Sequence, residues 1–210
     1  MSNKTLHYLL DPLCGWCYAA GPLAKALHEQ GIPVQLHAGG LFDRQTMPEH
    51  MRAYVRQADA RISAMTGQPL GQAYLQGLLN RADTVLDSLP PIAALLAAQE
   101  LDPARGLPML HALQTARWVD GLEIVDSAVL QQLAVQLGLD GATFEAALQR
   151  QLQGDAQDHI DATRRFMGAV GVQGFPGFVL RSEQGAQVLN HSRFYGHANE
   201  WVQHIQTTLA

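Results

Sequence analysis

The chain of 210 residues carries two cysteines, Cys14 and Cys17, separated by Gly15 and Trp16. A disulfide across so short a loop removes little freedom from the unfolded chain, so stability is a poor reason for the pair. Redox chemistry, a metal, or packing as two small apolar residues remain. A dithiol oxidoreductase needs one thiol that is partly thiolate and accessible, and a second close enough to resolve the mixed disulfide. A structural zinc site needs four ligands. Here there is one Cys-x-x-Cys, and the nine histidines include no His-x3-His pair. Packing alone does not require the spacing. The redox reading is favoured, and no metal is expected.

The elements around the pair strengthen it. Thr5–Leu10 (TLHYLL) has strand character, and Asp11-Pro12 interrupts it. From Cys14 the pattern turns helical, with Cys17, Ala20, Ala24 and Leu27 on one side and a stop at Gly31. Residues 32–37 alternate as a strand, and Gly39-Gly40 breaks it. The thiols therefore fall at the strand-to-helix junction of a βαβ unit, the context in which Cys-x-x-Cys reads as a redox motif. At that junction Cys14 meets unpaired N–H groups and the positive end of the helix dipole, which favour a thiolate. Cys17 lies one turn deeper on the same face. Gly15 keeps the loop tight, and Trp16 places an apolar surface beside the sulfur.

Residues 48–170 show helical patterns and turn breakers, with no convincing strand. Helices are expected over 48–65, 90–100, 104–119, 127–137, 141–152 and 155–170, with a further one over 71–79. The stretch 90–100 (PPIAALLAAQE) is apolar nearly all round, which predicts a buried helix opened by proline. The tail returns to strands at 174–180 and 187–190 and ends in a helix over 198–209. Trp118, Trp201 and Phe194 read as core or domain-contact residues rather than substrate groups. His37 and Arg44 are candidates for the site rim, although nothing in the sequence places them there. The order predicts an α/β fold: a β-α-β piece and a β-β-α piece share one mixed sheet, with a helical block between them.

Composition narrows the partners. With 47% hydrophobic and 16% charged residues the chain can bury a substantial core. A net charge of −5 and the lack of a basic run argue against nucleic acid or an anionic membrane as the main partner. The N-terminus has no signal-peptide pattern, and no apolar run approaches the roughly 18 residues of a membrane span. The expected location is cytoplasmic, where structural disulfides are rare.

Asp11-Pro12-Leu13-Cys14-Gly15-Trp16-Cys17 and Gly174-Phe175-Pro176, in this order of elements, resemble the DsbA-like branch of the thioredoxin superfamily, and FrnE-type members in style. The resemblance covers essentially the whole chain. It implies a thioredoxin-like fold with a large all-helical insertion. Residues 1–47 and 170–210 would form a discontinuous thioredoxin-like domain, and 48–169 the insertion domain. It implies thiol–disulfide exchange with protein, peptide or low-molecular-weight thiol substrates, in which Cys14 attacks and Cys17 resolves. Pro176 would be the cis-proline facing the thiols and helping to keep metals off them, and Phe175 would contact substrate through its backbone. The family usually has a smaller or β-branched residue before that proline, so Phe175 departs from the pattern and is expected to narrow the groove. Gly15-Trp16 brings no charge or histidine, so Cys14 is expected to be less acidic than in strongly oxidising relatives. No organic cofactor is implied, and glutathione is a possible exchange partner.

Asp11 has two readings. The resemblance suggests a buried carboxylate that takes the Cys17 proton; the residue itself suggests an Asx-type cap on the turn. Two other functions fit the same architecture. Glutathione-dependent isomerases or transferases, of the 2-hydroxychromene-2-carboxylate isomerase or kappa type, use a single Ser or Cys at the position of Cys14, and Cys17 argues against them. A redox-sensing or client-binding module would form the disulfide without turnover. Whether the chain acts as oxidant, reductase or isomerase is left open by the residues.

Overall fold

Strands from the two ends of the chain meet in one sheet. The computed structural model describes residues 4–209. In chain order the strands are β1 (Thr5–Leu10), β2 (Val34–Ala38), β3 (Gln45–Thr46), β4 (Val85–Leu86), β5 (Gly177–Ser182) and β6 (Gly185–Leu189). The α-helices are α1 (Gly15–Glu29), α2 (Glu49–Thr66), α3 (Leu89–Leu101), α4 (Gly106–Trp118), α5 (Ser127–Gln136), α6 (Gly141–Arg150), α7 (Ala156–Val170) and α8 (Ala198–Leu209). The main sheet has the order β2-β1-β5-β6. β1 runs parallel to β2 and antiparallel to β5, and β5 runs antiparallel to β6. This is the thioredoxin-like arrangement, with a large helical segment between β2 and β5.

The apolar character of β1 follows from its place at the centre of the sheet. Leu6, Tyr8 and Leu10 pack into the main core with α1, while Leu9 points to the other face and meets Met167 of α7 and Val179 of β5. Both faces are therefore covered, and each buried leucine contributes about 1.5–3 kcal/mol. On the α1 side, Phe178 stacks on Tyr8 at 4.4 Å between centroids and meets the edge of Trp201 from α8 at 5.1 Å. Helix α3 is buried on nearly every side, from Pro91 to Ala98, as its sequence predicts. Its core residues belong to the same hydrophobic cluster as those of the sheet, α1 and α4–α6.

Two features differ from the sequence reading. The middle segment contributes a strand after all: β4 pairs with β3 in a two-residue antiparallel ribbon, too short to show an alternating pattern. Residues 71–79 do not form an α-helix but a π turn, Ala73–Gly77, followed by a 3-10 turn, Leu78–Asn80. Helix α7, within the stretch assigned to the insertion, lies against the sheet through Met167 and Phe166. Trp201 and Phe194 are core residues, as expected.

At the contact between α7 and the sheet three histidines gather. His7 Nδ1 and His37 Nε2 are 2.8 Å apart, and Ala38 N–H donates to His159 Nε2 at 3.0 Å. Phe166 packs on the first two rings, and Arg181 of β5 adds a positive charge near His7. Burial, then the neighbouring His7 and His159, push the His37 pKa down to about 4 from an ordinary 6.5. With the folded value below the unfolded one, falling pH protonates the unfolded chain first. The stability that neutral His37 contributes is whole above pH 6.5 and is lost as pH falls to about 4. In urea unfolding across this window the wild-type midpoint should drop more steeply than that of His37→Asn. Parallel curves would mean that His37 is not the group responsible.

Candidate active site

The chain leaves β1 at Leu10, turns through Asp11–Cys14 and enters α1. Cys14 N–H donates to the Asp11 carbonyl at 3.1 Å and closes the turn. Cys14 is the N-cap of α1, with extended backbone at φ −81° and ψ 117°. Its carbonyl accepts from Cys17 N–H at 2.9 Å and Tyr18 N–H at 3.1 Å, the first bonds of the helix. Both cysteines are free thiols. Cys14 keeps 7% of its surface exposed and Cys17 none, so the two sulfurs differ in access.

They also differ in acidity. The hydrogen bond from the Cys17 thiol holds the Cys14 thiol below the ordinary cysteine range, aided by the N–H groups of Cys17 and Trp16. Burial and the Asp11 charge oppose this. Burial pushes the Cys17 thiol well up, and a charge on Cys14 pushes it further. Asp11 N–H points at the Cys17 sulfur at 3.3 Å.

Across the site stands the segment entering β5. Gly177 pairs with Leu9, which brings residues 175 and 176 beside the turn that carries Cys14. The Phe175–Pro176 peptide bond is cis. The Cys14 thiol donates to the Phe175 carbonyl at 3.6 Å. The Phe175 ring does not line the groove next to Cys14; it turns away and packs over Gly39.

Asp11 is fully buried. Its Oδ1 accepts from Leu13 N–H at 2.8 Å, an Asx-type bond, and its Oδ2 accepts from Leu41 N–H at 2.7 Å. Burial raises its pKa, and these bonds with that of the Ser88 hydroxyl work against the rise. The carboxylate thus ties the Cys14 turn to the loop after β2, and its charge adds to the upward push on the Cys17 thiol.

A groove of about 170 Å³ opens at Cys14 between α2 and the loop after β2. Leu13, Trp16, Tyr54, Val55 and Ile62 give it apolar walls, and Asp59 and Trp118 lie deeper. Trp118 is buried and stacked on Tyr18 at 4.8 Å, so it is both core and groove wall. Gly15 fits closely under α2: a Cβ there would sit 3.1 Å from Asp59 Oδ1 and 3.2 Å from Ile62 Cδ1. Trp16 stacks on Tyr195 at 6.2 Å, and the Arg61 guanidinium lies 5.8 Å from the Trp16 ring centre. His37 and Arg44 are elsewhere. His37 is in the histidine cluster, Arg44 pairs with Asp87 at 3.5 Å, and neither lines the groove at Cys14. Among the described residues, no three His, Cys, Asp or Glu side chains are grouped to hold a metal ion.

Sequence reasoning missed two tyrosines. Tyr8 is wholly buried, donates to the Cys17 carbonyl at 3.4 Å, and has its pKa raised first by burial and then by the cysteines. Tyr195 is pushed up by burial and by both cysteines. Tyr8 left a weak signal as the one aromatic in an apolar strand; Tyr195 left none, because only the return of the chain past β6 brings it to Trp16.

The acidity of Cys14 rests first on the Cys17 S–H group, which gives a direct test. In Cys17→Ala, the pH midpoint for alkylation of Cys14 by iodoacetamide should move up toward that of an ordinary cysteine. An unmoved midpoint would assign the acidity to the helix terminus alone.

The chain matches the family described as DSBA-like thioredoxin domain over residues 5–196. No curated protein sequence matches it. Among solved structures it is similar to the cytosolic disulfide reductase DsbM from Pseudomonas aeruginosa, at 42% identity, 98% coverage of both chains and a TM-score of 0.92. The structure of that protein with GSH superposes at a TM-score of 0.91, with the same identity and coverage. A putative protein disulfide isomerase from Nitrosomonas europaea shares the fold, at 22% identity, 98% and 97% coverage and a TM-score of 0.80. Among the described residues no helix is long and apolar enough to cross a membrane. With the family match spanning nearly the whole chain and the Cys-x-x-Cys turn seated against Phe175-Pro176, the protein belongs to the DsbA-like thioredoxin-domain family.

Proposed function

We propose that the protein is a cytoplasmic disulfide reductase that works through Cys14 and Cys17 and exchanges electrons with glutathione. The observation that carries this reading is the asymmetry of the two thiols: Cys14 is reachable and acidified, and Cys17 is buried, less acidic and one helical turn away. The likeness to a cytosolic disulfide reductase, whose structure is also known with GSH, supports the direction and the partner.

The Cys14 thiolate attacks one sulfur of a substrate disulfide. A Cys14–substrate disulfide forms, and the departing thiolate takes a proton from water. Cys17 then attacks the Cys14 sulfur, and its proton ends on the second departing thiol. The substrate gains two electrons, and the protein is left with a Cys14–Cys17 disulfide. Two glutathione molecules restore the dithiol and leave as glutathione disulfide. The low thiolate fraction of Cys17 keeps it from competing for substrate until the mixed disulfide is beside it. Phe175 offers its carbonyl to the backbone of a peptide substrate, and Pro176 presents no N–H to the thiols. The walls of the groove suit a substrate with apolar groups next to its cysteine. No organic cofactor takes part.

Equilibration against a glutathione series, read by alkylation and mass, tests this. The Cys14–Cys17 pair should show a reduction potential near the −270 mV, roughly, of a thioredoxin-type reductase. Cys14→Ser should abolish exchange, and Cys17→Ser should accumulate a mixed disulfide with glutathione on Cys14. A potential near about −120 mV would make the protein an oxidant instead. If no internal disulfide forms at any poise, single-thiol glutathione chemistry replaces the dithiol reading.

A further inference from the structure

Residues 38–41 lie between the two halves of the site, and the exchange steps above make no use of them. They are tied down from several sides. Ala38 N–H donates to His159 Nε2 at 3.0 Å, and Gly39 N–H donates to the Leu10 carbonyl at 3.0 Å. Arg164 donates through Nε to the Gly39 carbonyl at 2.5 Å and through Nη2 to the Gly40 carbonyl. Gly40 has φ +66°, and Leu41 N–H is held by Asp11. The segment therefore links the turn that carries Cys14 to helix α7.

The Phe175 ring rests directly on this segment. A Cβ on Gly39 would lie 2.3 Å from Phe175 Cζ, 2.7 Å from Cε1 and 3.1 Å from Thr163 Cγ2. Phe175 also packs against the cluster of Leu9, Met167 and Val179 and against the main core. A methyl group on Gly39 and the Phe175 ring therefore cannot occupy the same space, and the half-buried ring would have to move.

We propose that Gly39 is a positioning residue for the thiol site: its missing side chain forms the notch that seats the Phe175 ring, and the seated ring holds the Phe175 carbonyl at the Cys14 sulfur. The notch also explains how the chain carries a large aromatic residue before Pro176 while the groove beside Cys14 stays open. The inference rests on Cys14 being the attacking thiol, but its main readout does not require turnover.

Ring and notch must match in size, so reciprocal variants test the idea. Gly39→Ala fills the notch and expels the ring. Phe175→Val empties the notch and leaves the carbonyl unanchored. Either change takes a hydrogen-bond acceptor from the Cys14 thiol, which favours the thiolate. In each single variant the pH midpoint of Cys14 alkylation should move down. In Gly39→Ala/Phe175→Val, where the methyl replaces the lost ring, it should return most of the way to wild type. The rate of Cys14 with glutathione disulfide should fall about tenfold in Gly39→Ala, within what a displacement of about 1 Å causes, and recover in the double variant.

A merely structural role would lower the unfolding midpoint of the single variants and leave the Cys14 midpoint unmoved. That result, or a double variant displaced as far as the singles, overturns the proposal. If Gly39→Ala does not fold, Phe175→Val against the double variant gives the same comparison. If the wild type does not react with glutathione disulfide, the reductase reading fails, and the alkylation midpoints still decide the role of Gly39.

Discussion

Leu9 and Gly177 stand opposite each other in the antiparallel ladder between β1 and β5, and the chemistry depends on that pairing. The Cys14 turn begins at the end of β1, and Phe175-Pro176 immediately precedes β5. Antiparallel neighbours put the end of one strand beside the start of the other, so two segments 161 positions apart meet at Cys14 Sγ and the Phe175 carbonyl. The pairing is held by burial as much as by its hydrogen bonds. Side chains of β1 and β5 alternate between the core under α1 and the cluster under α7, and a slip of one residue would exchange the two sets.

The thiol pair draws its asymmetry from depth along one helix. At the N-cap, the Cys14 sulfur meets the N–H groups of Trp16 and Cys17 in the first turn of the helix. One turn on, Cys17 is closed off from water, and desolvation penalises its charged form. The same S–H group that Cys17 retains stabilises the Cys14 thiolate, so the two effects reinforce each other. Phe175 acts in the other direction, since its carbonyl accepts a bond that only the protonated Cys14 can donate.

Close approach of backbone to side chain recurs around the site. Gly15 lets α2 settle over the start of α1, and Gly39 receives the Phe175 ring. Asp11 works from within, holding N–H groups on both its turn and the loop after β2. Its burial is tolerated because both oxygens accept hydrogen bonds. The helical segment thus shares the core of the sheet and also forms one wall of the groove where a substrate would meet Cys14.

The local chemistry is legible in the residues. Cys-Gly-Trp-Cys after an apolar strand, glycine stops, helical periodicity and a proline opening the last strand pair are short-range signals, and they were enough for the βαβ start, the buried α3 and the two halves of one sheet. They did not show β4, whose two residues are too few for a pattern, or the π and 3-10 turns over 73–80, where packing overrides helical periodicity. They left His37 and Arg44 unplaced and Asp11 with two readings. Tertiary structure alone decided that Tyr8 and Tyr195 face the thiols, that α7 covers the sheet, and that Gly39, readable in sequence only as a strand breaker, receives a ring from residue 175. Each of these is a contact between residues distant in the chain, set by the shape left after the core has closed, and no local pattern encodes that shape.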